Sequence, residues 1–153
     1  MAKNPNSGPK TVYVDASGQI AGRMCSKVAK LLLTGNTVTI VNAEKALFSG
    51  YRQTVMGDFL NRLTIASVVH PKHGPFHPRT PSGILTRMVR GMIPRTKPSG
   101  TASLKRLRVY EEVPEKYGHL ELSSFEEAKA TKPLAYYVPL GEVAHRIGWK
   151  GDQ

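Results

Sequence analysis

An α/β fold with a mostly parallel sheet is predicted by two short β-branched runs, the amphipathic stretch between them, and the glycine that closes that stretch. Thr11 to Asp15 (TVYVD) has the β-branched and aromatic content of a strand. From Ile20 to Leu33, the residues Ile20, Met24, Val28, Leu31 and Leu32 form an apolar stripe at helical spacing, flanked by Ala21 and Cys25. Arg23, Lys27 and Lys30 fall on the opposite side, and Gly35 supplies a helix stop. Thr37 to Val41 (TVTIV) is a second strand, apolar enough to be buried on both faces. Strand, helix and strand within about 30 residues make a βαβ unit, which requires parallel pairing and a right-handed crossover.

Beyond Asn42 the pattern is less regular. A helical turn is predicted over Ala43 to Phe48, and a helix over Tyr51 to Leu63 through Val55, Phe59, Leu60 and Leu63. His70 to Ser82 holds four prolines and one glycine in thirteen residues, which dictates an extended loop. Thr80-Pro81 then reads as a cap followed by proline at the first helical position. The helix it opens runs to Gly91, burying Ile84, Leu85, Met88 and Val89 and presenting Arg87 and Arg90. A short helix over Thr101 to Arg106 and a strand over Leu107 to Tyr110 follow the breaks at Pro94 and Pro98. Ser124 to Glu127 has the spacing of a capping box, and a last helix is expected over Leu140 to Ile147, before Gly148 and Trp149.

At 153 residues and 40% hydrophobic, the chain suits one domain with a real core. The division expected is a flexible tail over 1–10 and a single domain over 11–153. The tail is polar, unlike a signal peptide or membrane anchor, and no apolar run approaches the ~18 residues of a membrane span. A single cysteine, Cys25, excludes an intramolecular disulfide and fits a reducing, cytoplasmic setting.

Charge is distributed unevenly. The 52 residues from Phe59 to Tyr110 contain ten Lys or Arg and no Asp or Glu. The flanking segments are close to balanced, so nearly all of the net charge of +11 lies in that block. Like charges in one region oppose compaction, and their usual counterpart is a polyanion whose counterions are released on binding. Seven of the ten are arginines, the side chain suited to bidentate phosphate contact. A solvated face explains scattered lysines but not this segment, and an irregular Pro/Gly-rich loop suits a folded RNA surface better than a DNA groove.

Three other patterns have plainer explanations. Gly18 and Gly22 lie where a strand turns into a helix, with Glu44 past the second strand, as in a nucleotide site. The G-x-x-x-G spacing fits neither the dinucleotide fingerprint nor the P-loop, so the turn at Gly18 and close packing at Gly22 account for the glycines. His70, His73 and His77 have intervals a metal could use, but Pro71, Pro75 and Pro78 prevent the helix that would align them, and no metal site is expected. Cys25, on the apolar face of its helix, reads as a small core residue rather than a nucleophile.

Four blocks together resemble one family, the universal large-subunit ribosomal protein called L-thirteen in bacterial naming. They are Val14-Asp15-Ala16 through Gly22-Arg23 to Ala29, Ile40 to Glu44 with Ser49-Gly50, Val89-Arg90-Gly91-Met92-Ile93-Pro94, and Leu107-Arg108-Val109-Tyr110. The segment Gly74-Pro75-Phe76-His77-x-Arg79-x-Pro81-Ser82 and the closing Leu140-Gly141-Glu142 to Gly148-Trp149 are similar to the archaeal and eukaryotic branch. His73 and Pro78 depart from that branch, which usually has Arg and an aromatic residue there. The resemblance implies a three-layer α/β/α, Rossmann-like frame with a four-stranded sheet in the order 3-2-1-4 and basic loop extensions, without a cofactor. It also implies a non-enzymatic role on the cytoplasmic ribosome, in subunit assembly and translation. The partners implied are large-subunit ribosomal RNA and neighbouring ribosomal proteins, with no membrane and no small-molecule substrate. The RNA contacts expected are Arg23 and Lys27, then Lys72, His73, Phe76, His77 and Arg79 in the loop, and Arg87, Arg90, Arg95, Lys97, Lys105 and Arg106 beyond it. The rival reading is a nucleotide-binding α/β enzyme; a free regulator of messenger RNA would share the RNA chemistry.

Overall fold

The computed structural model describes residues 10–151, so residues 1–9 of the expected tail lie outside the described residues. Strands β1 (Thr11–Asp15), β2 (Thr37–Val41) and β4 (Leu107–Val109) form a parallel sheet in the order β1-β2-β4. Helix α1 (Ala21–Leu33) makes the first crossover. Between β2 and β4 lie β3 (Leu47–Ser49), α2 (Arg52–Thr64), α3 (Pro81–Met92) and α4 (Pro98–Leu104). After β4 come β5 (Tyr137–Pro139) and α5 (Leu140–Arg146).

Register and pleat explain the core. Val12 pairs with Val38 and Val14 with Ile40, while Leu107 and Val109 pair with the same two β2 residues. Alternation therefore puts all six side chains on one face of the sheet. Helices α1 and α3 pack side by side against that face, through Met24, Val28 and Leu32 of α1 and Ile84, Leu85 and Val89 of α3. The opposite face carries Tyr13, Thr39 and Tyr110, and Tyr117 closes over it with its ring 5.3 Å from Tyr13 and 5.6 Å from Tyr110. Tyr117 belongs to a 3₁₀ turn, Glu115–Tyr117. That face is thus covered by an aromatic cap where the three-layer expectation had a second layer of helices.

Among the described residues the sheet also has three strands, not four. At the free edge of β1 only Ser123 pairs, donating to the Tyr13 carbonyl (2.9 Å) and accepting from the Asp15 amide (3.1 Å). A few residues later the chain turns through Glu126–Ala128 and follows the β1–α1 loop instead. There the Ala128 carbonyl accepts from the Ile20 amide (2.7 Å) and the Ala130 amide donates to Gly18 (3.1 Å). These discontinuous bonds cover an edge that would otherwise be open to another strand. The capping-box spacing at Ser124 to Glu127 is followed only by that turn, and no side chain caps it. Glu127 and Glu126 pair instead with Lys27 and Lys129.

Local capping follows the sequence at α3. Thr80 Oγ1 accepts from the Gly83 amide (3.2 Å), and Pro81 starts the helix. The turn expected over Ala43 to Phe48 stops at Lys45, and Leu47–Ser49 pairs antiparallel with β5. At Gly100 an added Cβ would lie 2.1 Å from the Pro94 carbonyl oxygen, so only glycine lets α4 pack on the preceding turn.

Candidate nucleic-acid interface

The end of β1 tests the nucleotide-site reading. Asp15 Oδ1 accepts from the Ser17 amide (3.0 Å) and from Asn42 Nδ2 (2.9 Å). The Gly18 amide donates to Lys45 (3.4 Å), Gln19 to Ala16 (3.1 Å) and Ile20 to Ala128 (2.7 Å). Every amide from 17 to 20 that could cradle a phosphate already donates within the chain. Burial raises the Asp15 carboxyl, but hydrogen bonds from the Ser17 amide and the Asn42 and Ser17 side chains, with the charge of Lys45, outweigh it and hold its pKa below the ordinary value. Gly18 has φ +69 and makes the turn. Gly22 does not serve close packing: an added Cβ there meets nothing within 4 Å. Cys25 is buried in the core, and burial pushes its thiol up to about 12, far from a reactive thiolate.

The cations are arranged differently. Their helices bury their apolar sides against the sheet, leaving Arg23 of α1 and Arg87 and Arg90 of α3 exposed. Lys27 is half-buried and reaches Glu127 Oε2 at 2.5 Å, and its hydrogen bond keeps the Glu127 carboxyl below its usual range. In the loop before α3, Lys72, His73, Phe76 and Arg79 are exposed, Phe76 at 80%. Two bonds pin that loop: His77 Nε2 contacts the Ile65 carbonyl at 2.9 Å, and Arg87 donates to the Phe76 carbonyl. Arg79 lies over Gly148, where φ is +103 and a Cβ would come within 2.9 Å of its Nη1. Arg95, Lys97 and Lys105 are exposed along the connection through α4.

Arg106 is placed otherwise. Its Nη2 donates to the Leu32 carbonyl at the end of α1 (2.8 Å) and to Ser103 Oγ (3.2 Å), and its Nε to Asn36 (3.4 Å). Lys105 and Arg106 are indistinguishable as sequence, yet one is solvated and the other clamps a helix end. Sequence reasoning also passed over Arg62, whose guanidinium sits 5.1 Å from the Phe59 ring centroid. The Phe59/Arg62 spacing of three on a helix was the available signal.

Among the described residues there are three ion pairs, Lys27–Glu127, Arg52–Glu142 and Lys129–Glu126. Among the described residues, no carboxylate is ion-paired with a cation of the 59–110 block.

The family model described as Ribosomal protein L13 matches residues 9–116, which takes in the parallel sheet and the whole basic block. The chain belongs to that family. A protein named large ribosomal subunit protein uL13 from Aeropyrum pernix is 43% identical over 150 residues, covering 93% of this chain and 92% of that one. The protein of the same name from Methanococcoides burtonii is 40% identical, with 90% and 97% covered. That from the insect Spodoptera frugiperda is 35% identical, with 92% and 71% covered. The family resemblance read from the four sequence blocks is thereby shown, and with it a ribosomal protein of the large subunit, a component of translation. Among the described residues, no helix is long and apolar enough to cross a membrane.

Proposed function

We propose that the chain is a structural constituent of the large ribosomal subunit that binds large-subunit ribosomal RNA and supports assembly of the subunit in the cytoplasm. The observation that carries this reading is the block of ten cations, of which none is paired with a carboxylate among the described residues. Binding neutralises several phosphates at once and holds RNA segments in their folded arrangement. The contacts proposed are Arg23, Lys72, His73, Phe76, Arg79, Arg87, Arg90, Arg95, Lys97 and Lys105, with His77 positioning the loop. Lys27 joins them only by exchanging Glu127 for a phosphate, and Arg106 is assigned to the frame. Neighbouring large-subunit proteins are proposed as further partners. The consumed amides at 17–20 disfavour the nucleotide-binding enzyme.

Three measurements test the proposal. Affinity for RNA containing the cognate region should fall steeply between about 50 and 200 mM salt, with a slope proportional to the phosphates engaged. A flat dependence would sink it. Arg90→Ala should weaken that binding by about 1.5–3 kcal/mol, the worth of a charge-assisted hydrogen bond, and lower the slope. Arg90 is exposed beside Gly91, where an added Cβ would meet nothing, so the RNA backbone can come close and folding should be nearly unaffected. Co-sedimentation with large subunits from lysate separates the ribosomal role from that of a free messenger-RNA regulator.

A further inference from the structure

A groove of 690 Å³ opens between α2, the loop before α3, and α3 itself. Its lining includes Phe48, Phe59, Leu63, Ile84 and Met88, with the Phe48 and Phe59 rings tilted together at 5.3 Å. Arg62, Arg87 and Asp58 also line it, and among the described residues Asp58 is the only acid that does. Helix α2 forms one wall and has no buried residue of its own. Ten of the fifteen lining residues belong to the acid-free block, Phe59 to Tyr110.

Resting on the RNA-binding reading, we infer that this groove takes one unpaired nucleotide of the bound RNA, with its base among the apolar residues and an amino edge toward Asp58. An RNA partner offers a protein surface two kinds of group: charged phosphates with their sugars, and flat uncharged bases. An apolar groove rejects the first, because an anion loses its hydration there. It suits the second, since bases splayed out of single strands stack on aromatic rings and arginine planes. Arg62 already lies 5.1 Å from the Phe59 ring centroid, so a cation and a ring stand together at the wall. The volume falls within the range of about 300–1,000 Å³ that holds ligands of nucleotide size. A carboxylate amid so many cations repels phosphate but accepts from the amino group of adenine, cytosine or guanine. Uracil has no amino group and offers the carboxylate only its ring N–H. The cationic surroundings also weigh against a purely apolar protein side chain as the occupant.

The test uses the full chain and large-subunit RNA containing the cognate region. Val55 is half-buried and lines the groove, so Val55→Trp fills it. This variant should bind RNA about 5- to 150-fold more weakly, the range one stacked base is worth, with the salt slope unchanged. In base-specific chemical probing, one nucleotide protected by the wild-type chain should become reactive while the rest of the footprint persists. Asp58→Ala, at an exposed position, removes the acceptor and should expose the same nucleotide, and it decides the matter alone if Val55→Trp fails to fold. Unchanged affinity and unchanged protection in the folded variants overturn the nucleotide. So does loss of Val55→Trp from assembled subunits with RNA affinity intact, which would give the groove to a neighbouring protein. In either case a steep salt dependence of the wild-type chain leaves the RNA-binding reading standing, whereas a flat one removes that reading itself.

Discussion

Arg106→Ala separates cations that build the frame from cations that face outward. The side chain donates to Leu32 and Asn36, at and just beyond the end of α1, and to Ser103 in α4. It therefore ties the end of the first crossover helix to the turn that leads into β4. Two of the three bonds are 2.8 and 3.2 Å long, and the third, at 3.4 Å, adds little. The positive charge also lies at the negative end of the α1 dipole. Hydrogen bonds from a charged donor contribute about 1.5–3 kcal/mol, and half-burial preserves most of that here. A domain of this size loses about 2–4 °C of melting temperature per kcal/mol, so the variant should melt about 3–12 °C lower. Its RNA affinity, measured well below the new melting temperature, should change by no more than about 0.5 kcal/mol. Arg106→Lys should recover part of the loss, because one ammonium cannot reach all three acceptors. An unchanged melting temperature with weakened RNA binding would refute the reasoning and return Arg106 to the interface.

Gly100→Ala should destabilise by about 1–3 kcal/mol or more, because the new Cβ meets the backbone oxygen and carbon of Pro94 at 2.1 and 2.7 Å. Chemical denaturation measures it, and a wild-type midpoint would show that α4 shifts freely. Asp15 should contribute an acid-sensitive part of the stability. Its folded pKa lies below the unfolded value of about 3.9, so the contribution is present above that value and is lost as pH falls through the folded pKa. The gap in melting temperature between wild type and Asp15→Ala should therefore shrink as pH falls below about 4. A constant gap from neutral pH to pH 3 would mean that the Asp15 charge plays no part.

The elements legible in the sequence are those whose pattern repeats within the element. The stripe through Met24, Val28 and Leu32 needs a 3.6-residue period to be buried on one side, and those residues are fully buried. Thr80-Pro81 announces its helix because the cap and the fixed proline φ act locally. β3 and β5 have three residues each, too few to show a period of two, and neither is near its partner in sequence. Nor does a pattern mark Ser123 as a lone bridge, because the hydrogen bonds that end it are made by Ala128 and Ala130 to a distant loop. At the interface, charge sign is readable but orientation is not. Lys105, Arg106 and Arg108 lie within four residues, yet only packing decides that the two arginines bond to carbonyls while the lysine is free. The groove beside α2 was invisible for a related reason, since α2 leaves its apolar residues against a loop with no period at all.

The acidic last third then has a structural explanation that links frame and interface. Its backbone bonds to the edge of β1 through Ser123 and to the turn after β1 through Ala128 and Ala130, beside the place where this class of fold exposes amides to a nucleotide. Three of its carboxylates, Glu127, Glu126 and, on α5, Glu142, pair with Lys27, Lys129 and Arg52, all outside the 59–110 block. Had the same acids fallen between Phe59 and Tyr110, they would have neutralised the surface proposed for RNA and added to its desolvation on binding. Separating the signs along the sequence keeps one set of charges for closing the fold and leaves the other open to a polyanion. Of the amides at 17–20 the last third holds only that of Ile20, through the Ala128 carbonyl, so the segment that carries the acids away from the RNA face also closes one side of this turn.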